Sequence, residues 1–323
     1  MEDLKKFKEK QKKLKYFLLN NADFSELPAY IIFSYLGARV CYSSSHPLFI
    51  FNEEKFRNPE KFKNFLIHLK RMKHYSIFAH TPIPVRIDKL GSEEKFLLAS
   101  MFFKVFWPVD EKSRYAIFNL RHLAEVLENE EFEKIISIDP YLKGIEVTVI
   151  KSGSVTFKGR LSKVLENLLE KNKNDIFAKQ EIIILRKTNE NKISWIGVIA
   201  HNFSRIFSHQ FVRHTWLNFN QRSHRYTSVD RFVVPEVFNK DAVKRYCEII
   251  KKCMNCYKEF FDKGIKREWA RFVIPQGCAT TVFATGPKMA WKDFVEKRNI
   301  PQAQGEIRNF ASILQKIIFA NKF

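Results

Sequence analysis

The chain has 323 residues, with 56 Lys and Arg against 35 Asp and Glu, a formal charge of +21. That length holds one large domain or two of ordinary size, and an apolar share of 45% is enough for a core, which excludes a disordered tail protein. The longest nearly apolar stretch, Phe96 to Trp107, is broken by Ser100 and Lys104 and falls short of the roughly 20 residues of a membrane span. The opening MEDLKKFKEKQKKLKYF has charge but no apolar centre, so no secretory leader and no membrane partner are expected.

Residues 1–20 read as a basic amphipathic helix with Leu4, Phe7, Leu14, Phe17 and Leu18 on one face. Phe62, Phe65, Leu66 and Leu69 predict a helix over 54–73. Residues 112–136 read as mostly helical after a short extended start. A strand is expected at 145–150, and Leu161, Val164, Leu165, Leu168 and Leu169 define an amphipathic helix. The β-rich runs 181–186 and 193–200, separated by a turn-like polar segment, read as a hairpin. A helix over 202–216, a polar loop to about residue 226, and helices near 241–263, 291–295 and 302–320 complete the pattern. Helix plus Ser76-Ile-Phe-Ala-His80 resembles helix plus Asp175-Ile-Phe-Ala-Lys179, which suggests two diverged copies, 1–144 and 145–323.

Five cysteines, sparse and odd in number, imply no disulfide framework and fit a reducing, cytoplasmic setting. Cys253 and Cys256 form a lone CxxC on a helix and read as small buried core residues; no metal is expected. No GxGxxG, Walker A, GxSxG or HExxH string occurs, so a bound nucleotide has to be held by side chains.

The charge is uneven. Residues 191–229 contain no Asp or Glu but hold Lys192, Arg205, Arg213, Arg222 and Arg225, with His201, His209, His214 and His224. Arginine suits bidentate recognition of a phosphate or a heterocycle edge. Gln210, Arg213 and His214 share one helical face, and Asn218, Asn220, Gln221, Ser223 and Arg225 follow with amides, a hydroxyl and a cation. A polyanion such as RNA is disfavoured against one nucleotide phosphate, and much of the remaining charge reads as surface lysine without a specific partner.

The string Arg213-His214-Thr215, seven residues, then Ser223, followed by Arg225-Tyr226, resembles the signature of flavin-dependent thymidylate synthases. A second block agrees in order and spacing: Glu268-Trp-Ala-Arg271, then Phe294, Arg298 and Ala303-Gln-Gly-Glu306. Ala38-Arg-Val-Cys41 and His74-Tyr-Ser76 resemble the family's opening helix and flavin-contacting turn. The match is best over about 160–320. The resemblance implies an α+β fold with a central, mostly antiparallel sheet packed with helices. It implies reductive methylation of dUMP to dTMP, with methylenetetrahydrofolate as carbon donor, FAD as hydride carrier and NADPH as reductant. By position, Gln210, Arg213, Gln221, Ser223, Arg225, Arg271 and Arg298 would hold dUMP. Arg298 and Ser223 would serve catalysis, Arg298 by stabilising the ionised uracil ring. Arg213 and His214 would face FAD.

Departures from the family pattern are Thr215 for a second arginine, Gln221 for an acid, Pro287 and Met289 for an Asn-x-Arg pair, and Asp293 for an Asn or His. Ser113 to Leu127 resembles that missing Asn-x-Arg segment. In the two-copy reading, the first copy supplies Ser76, Asn119 and Arg121 to FAD and the second supplies the dUMP set. Family sites are assembled from several subunits, so self-association is expected, as a homodimer imitating a tetramer or as a homotetramer. The competing reading is a non-catalytic or altered-specificity relative that binds a nucleotide or RNA.

Overall fold

Residues Leu27–Tyr42 are apolar on nearly every side, and such a helix has to be buried all round. In the computed structural model, which describes residues 9, 13, 16–102, 104–108, 114–137, 144–161, 178–188 and 193–319, this is the central helix α1. Tyr30, Ile31, Ile32, Phe33, Tyr35 and Leu36 are fully withdrawn from solvent. Arg39 near its end grips Glu53 with two hydrogen bonds, 2.7 and 2.8 Å. Of the expected helix 1–20, residues 16–20 are helical and most of the rest lies outside the described residues.

The stretch 54–73 divides into α2 (Glu54–Arg57) and α3 (Pro59–Arg71). Asn58 makes the break: its side chain accepts from Lys61 N at 3.0 Å, and Pro59 opens the new helix where no N–H is needed. A 3-10 turn, Tyr75–His80, leads into β1 (Pro82–Arg86). After α4 (Ser92–Met101), the stretch 112–136 has its expected extended start as β2 (Tyr115–Asn119), and its helical part divides into α5 (Leu120–Val126) and α6 (Asn129–Ile136). Strands β1 and β2 pair antiparallel as a two-stranded sheet.

The larger sheet has six strands in the order β4-β3-β5-β6-β8-β7, all antiparallel. These are β3 (Ile145–Lys151), β4 (Ser154–Arg160), β5 (Glu181–Lys187), β6 (Trp195–Ser204), β7 (Asn218–Gln221) and β8 (Ala279–Pro287). The expected pairing of 181–186 with 193–200 is present, as β5 against β6. The helix expected at 161–169 lies almost wholly outside the described residues, as does most of the 175–179 string.

The helix expected at 202–216 is shorter. Strand β6 continues to Ser204 through a bulge, where Asn202 takes φ 62°, a backbone region that Asn tolerates. Ser204 then caps α7 (Arg205–Phe211), its Oγ accepting from Phe207 N at 2.9 Å. The expected polar loop holds β7, whose Asn218 and Asn220 are buried against β8.

Every residue of β6 and β8 is buried, so both faces of the sheet centre are covered. On one face Phe33 of α1 meets Phe283 edge to face at 5.9 Å. On the other lie α10 (Lys288–Arg298) and α11 (Gly305–Ile318), where Trp291 Nε1 donates to Ile196 O at 3.1 Å. The long α8 (Lys240–Asp262) and short α9 (Arg267–Ala270) cover a smaller apolar cluster of Val229, Phe232, Ile250 and Cys278. Cys253 and Cys256 are half-buried on α8, not core residues as their spacing suggested, because only Ile250 and Tyr257 of that helix are fully covered.

One apolar core runs from Leu18 to Ile318 and draws on both sides of the 144/145 boundary, which falls at the start of β3. No helix among the described residues is long and apolar enough to cross a membrane. The architecture is α+β with a central antiparallel sheet, as the sequence led one to expect.

Candidate functional site

The α7–β7 segment and the C-terminal end of α10 meet around a cavity of about 350 Å³ lined by Arg213, His214, Thr215, Trp216, Asp293, Lys297 and Arg298. Arg298 Nε donates to His214 Nε2 at 2.8 Å, and its NH2 donates to Gln210 O at 3.3 Å. A histidine nitrogen that accepts from a guanidinium carries no proton, so His214 is neutral with its proton on Nδ1. Burial, reinforced by the charge of Arg298, pushes its pKa down to about 4. The His214 ring is fixed edge-on to Phe294 at 4.8 Å. Lys297 is paired with Asp293 at 2.6 Å, whereas Arg213 and Trp216 are exposed.

A second group gathers at the other end of α7. Gln221 Nε2 donates to Ser208 Oγ at 2.9 Å and Thr280 Oγ1 at 3.2 Å. Ser223 is held through its backbone: its N–H donates to Cys41 O at 2.9 Å, and its carbonyl accepts from Thr227 Oγ1 at 3.0 Å. Arg225 pairs with Glu268 at 3.0 Å, and Arg271 Nε donates to Glu268 O at 3.3 Å. Arg205 and Arg222, both largely buried, and Arg271 crowd His224; burial first, then these cations, lower its pKa to about 4. His224 Nε2 and Arg222 Nε are buried with no hydrogen-bond partner among the described residues.

The residues expected to hold a nucleotide therefore fall into two groups. Gln210, Arg213 and Arg298 lie at one end of α7, and Gln221, Ser223, Arg225 and Arg271 at the other. Arg205 to Arg213 spans about 12 Å at helical rise. Of the expected flavin set, Ser76 is exposed at the start of the 3-10 turn, Asn119 is buried at the end of β2, and Arg121 sits on α5 paired with Glu125 at 2.7 Å.

Several residues behind the site escaped the sequence reading. His80 is fully buried and reaches Asn220 Oδ1 at 2.7 Å and Thr285 Oγ1 at 2.9 Å. An amide oxygen can only accept, so Nε2 carries the proton, and burial pushes the ring pKa down to about 3. Asn220 Nδ2 in turn donates to Cys41 Sγ at 3.1 Å. Gly37 permits this approach, since a Cβ there would stand 2.6 Å from His80 Cδ2. The three hydrogen bonds join residues more than a hundred positions apart, and no local pattern announces them.

Residues 196–320 match the family described as thymidylate synthase complementing protein. Flavin-dependent thymidylate synthases of Pyrococcus furiosus and Clostridium tetani are 34% and 30% identical over 116 and 133 residues, 33% and 35% of this chain. The chain spans about half the length of these relatives, 48% and 53%. The flavin-dependent thymidylate synthase of Aquifex aeolicus is 23% identical over 306 residues, covering 83% of this chain and 90% of its own. Among solved structures, a UMP/dUMP methylase of Streptomyces cacaoi bound with 5-Br dUMP aligns at 21% identity and a TM-score of 0.35, over 38% of this chain and 65% of that one. Through its region 196–320 the chain is thus similar to flavin-dependent thymidylate synthases.

Proposed function

We propose that this protein is a divergent flavin-dependent thymidylate synthase, acting in the cytoplasm, that methylates dUMP to dTMP with methylenetetrahydrofolate, FAD and NADPH. The observation that carries the reading is the Arg298–His214–Gln210 arrangement beside exposed Arg213, within the segment that matches the family.

Arg298 is oriented by its bonds to His214 and Gln210, and its remaining N–H groups face a ligand in the cavity. A fixed cation there stabilises negative charge developing on a pyrimidine ring without reorganising during the reaction. Neutral His214 accepts from Arg298 without repelling it. Arg225, Arg271 and the hydroxyl of Ser223 are the groups for a nucleotide phosphate and sugar. Because they lie at the far end of α7 from Arg298, the reading includes self-association, with one protomer completing its partner's site.

The donor set also fits a flavin. The exposed Arg213 guanidinium suits a pyrophosphate and the exposed Trp216 ring suits a planar heterocycle. Bound there, the flavin would supply hydride transfer, which no side chain of the site can. Ser76 and Arg121 are open to such a ligand, and Asn119 is buried.

The test is the visible absorbance spectrum of the purified protein with and without dUMP, joined to dUMP titration. Bound flavin perturbed by dUMP, with dUMP binding lost in Arg298→Ala, supports the reading. A colourless protein that binds neither sinks it. The second reading, a relative that binds nucleotide or RNA without methylating it, draws on Thr215, Pro287 and Met289, which lack the donors of the family pattern. It predicts dUMP or RNA affinity in a protein that takes up no flavin.

A further inference from the structure

The cavity beside Arg298 is walled on one side by the turn His214–Leu217, closed by Leu217 N donating to His214 O at 3.0 Å. The ends of the turn are fixed locally, His214 against Phe294 and Leu217 within the core, whereas Thr215 and Trp216 between them are exposed. A further hold on the turn comes from a distant part of the chain. Lys104 Nζ donates to Leu217 O at 2.5 Å, across 113 positions of sequence. Two residues on, the Phe106 ring contacts Trp216 at 5.8 Å and Trp195 at 5.8 Å. Phe106 is itself clamped to β2 by paired backbone bonds with Ile117, 3.0 and 2.9 Å. The segment 104–106 is thus anchored at its base and touches the turn at two places.

Two further observations mark Lys104 as a residue held in place at a cost. Its backbone has φ 61°, a region that a long side chain seldom occupies and that persists where surrounding contacts over-determine it. Its ammonium is also partly buried, so that desolvation, with repulsion from Arg121 of α5, lowers its pKa to about 8. A lysine with no task would relieve the desolvation by swinging its side chain into solvent.

We propose that Lys104 is a positioning residue of the candidate active site, which latches Leu217 and with Phe106 sets the Thr215–Trp216 wall against which the nucleotide and flavin bind. The latch rests on the proposed function for what the cavity binds, but its geometry stands on the contacts that Lys104 and Phe106, outside the matched segment, make with the turn. Loss of the charge-assisted bond frees Leu217 O and leaves Trp216 with Phe106 alone. Arginine, which keeps a cationic donor of similar reach, preserves the latch.

The test uses the full chain labelled with 5-fluorotryptophan. Among its 5 tryptophans, the Trp216 fluorine signal is assigned by Trp216→Phe. In Lys104→Met the Trp216 signal is expected to shift or broaden while those of Trp269 and Trp291 stay. The dUMP dissociation constant is expected to rise about tenfold, the order of one charge-assisted hydrogen bond. Lys104→Arg is expected to restore both. An unmoved Trp216 signal in Lys104→Met overturns the latch, and so does an arginine variant that behaves like methionine. If Lys104→Met does not fold, Phe106→Leu asks the same question from the second contact, and an unmoved Trp216 signal there is equally fatal. Should the parent protein bind no dUMP, the proposed function falls while the fluorine signals still decide the latch.

Discussion

Four histidines are held neutral inside this fold, and together they predict a steep loss of stability in mild acid. His80, His201, His214 and His224 are each at most 8% exposed. Burial depresses them all, His80 to about 3, His214 and His224 to about 4, and His201 well below the usual 6.5. Unfolded, each binds a proton near pH 6.5; folded, His80, His214 and His224 do not until pH falls by two units or more, and His201 too is protonated only at lower pH. The unfolded chain therefore binds more protons below 6.5, so folded stability falls as pH drops through that value and levels off near the folded pKa. At pH 5 the deficit is about 2 kcal/mol for each of His80, His214 and His224, or about 6 kcal/mol for the three, and His201 adds in the same direction. That rivals the whole stability of a typical domain, about 5–15 kcal/mol. Glu306, raised by burial, works against the trend, and Lys104, lowered to about 8, adds only a small slope in the same direction as the histidines at the pH 7.5 end. Guanidinium unfolding at pH 7.5, 6 and 5, at constant ionic strength, measures the effect. His80→Phe should remove about 2 kcal/mol of the pH dependence, whatever its own cost in stability. A total loss below about 2 kcal/mol between pH 7.5 and 5 would mean that at most one ring is kept neutral, and would refute the reasoning.

Gly37→Ala should destabilise the fold by about 1–3 kcal/mol, since its Cβ meets a His80 ring that two hydrogen bonds prevent from yielding; a thermal melt unchanged within error would contradict this. Lys70→Met should cost about 2–4 kcal/mol, because the buried Lys70 Nζ joins Leu127 O (2.9 Å) and Asn129 Oδ1 (2.8 Å) at the junction of α5 and α6, and denaturant titration reads the loss. In Arg298→Ala the His214 pKa should rise from about 4 yet stay below 6.5, because burial, its larger cause, persists; an NMR titration that found no rise would remove Arg298 from that account.

Amphipathic helices were legible where the stripe is local. The expected 241–263 and 302–320 lie within a few residues of α8 and α11, since 3.6-residue spacing is fixed by neighbours in sequence. The β5–β6 hairpin was legible too, but strands β7 and β8 were not. Strand β8 is buried on both faces and carries Ala, Thr and Gly, so it shows neither alternation nor a bulky apolar run. Strand β7 looked like a polar loop because its Asn218 and Asn220 are polar, and Asn220 is satisfied only by His80 and Cys41 from far upstream. The same division runs through the site. Arg213 and His214 lie next to each other in sequence, and Arg298 was reached through the resemblance. Three upstream contacts then grip the signature segment: His80 on Asn220, Cys41 on Ser223 and Lys104 on Leu217. All three come from residues before 196, outside the matched region. The shape of the site is thus set largely by residues that the signature does not contain. A substitution such as Thr215 accordingly has to be weighed against the wall that Lys104 and Phe106 build beside it, and not by the signature alone.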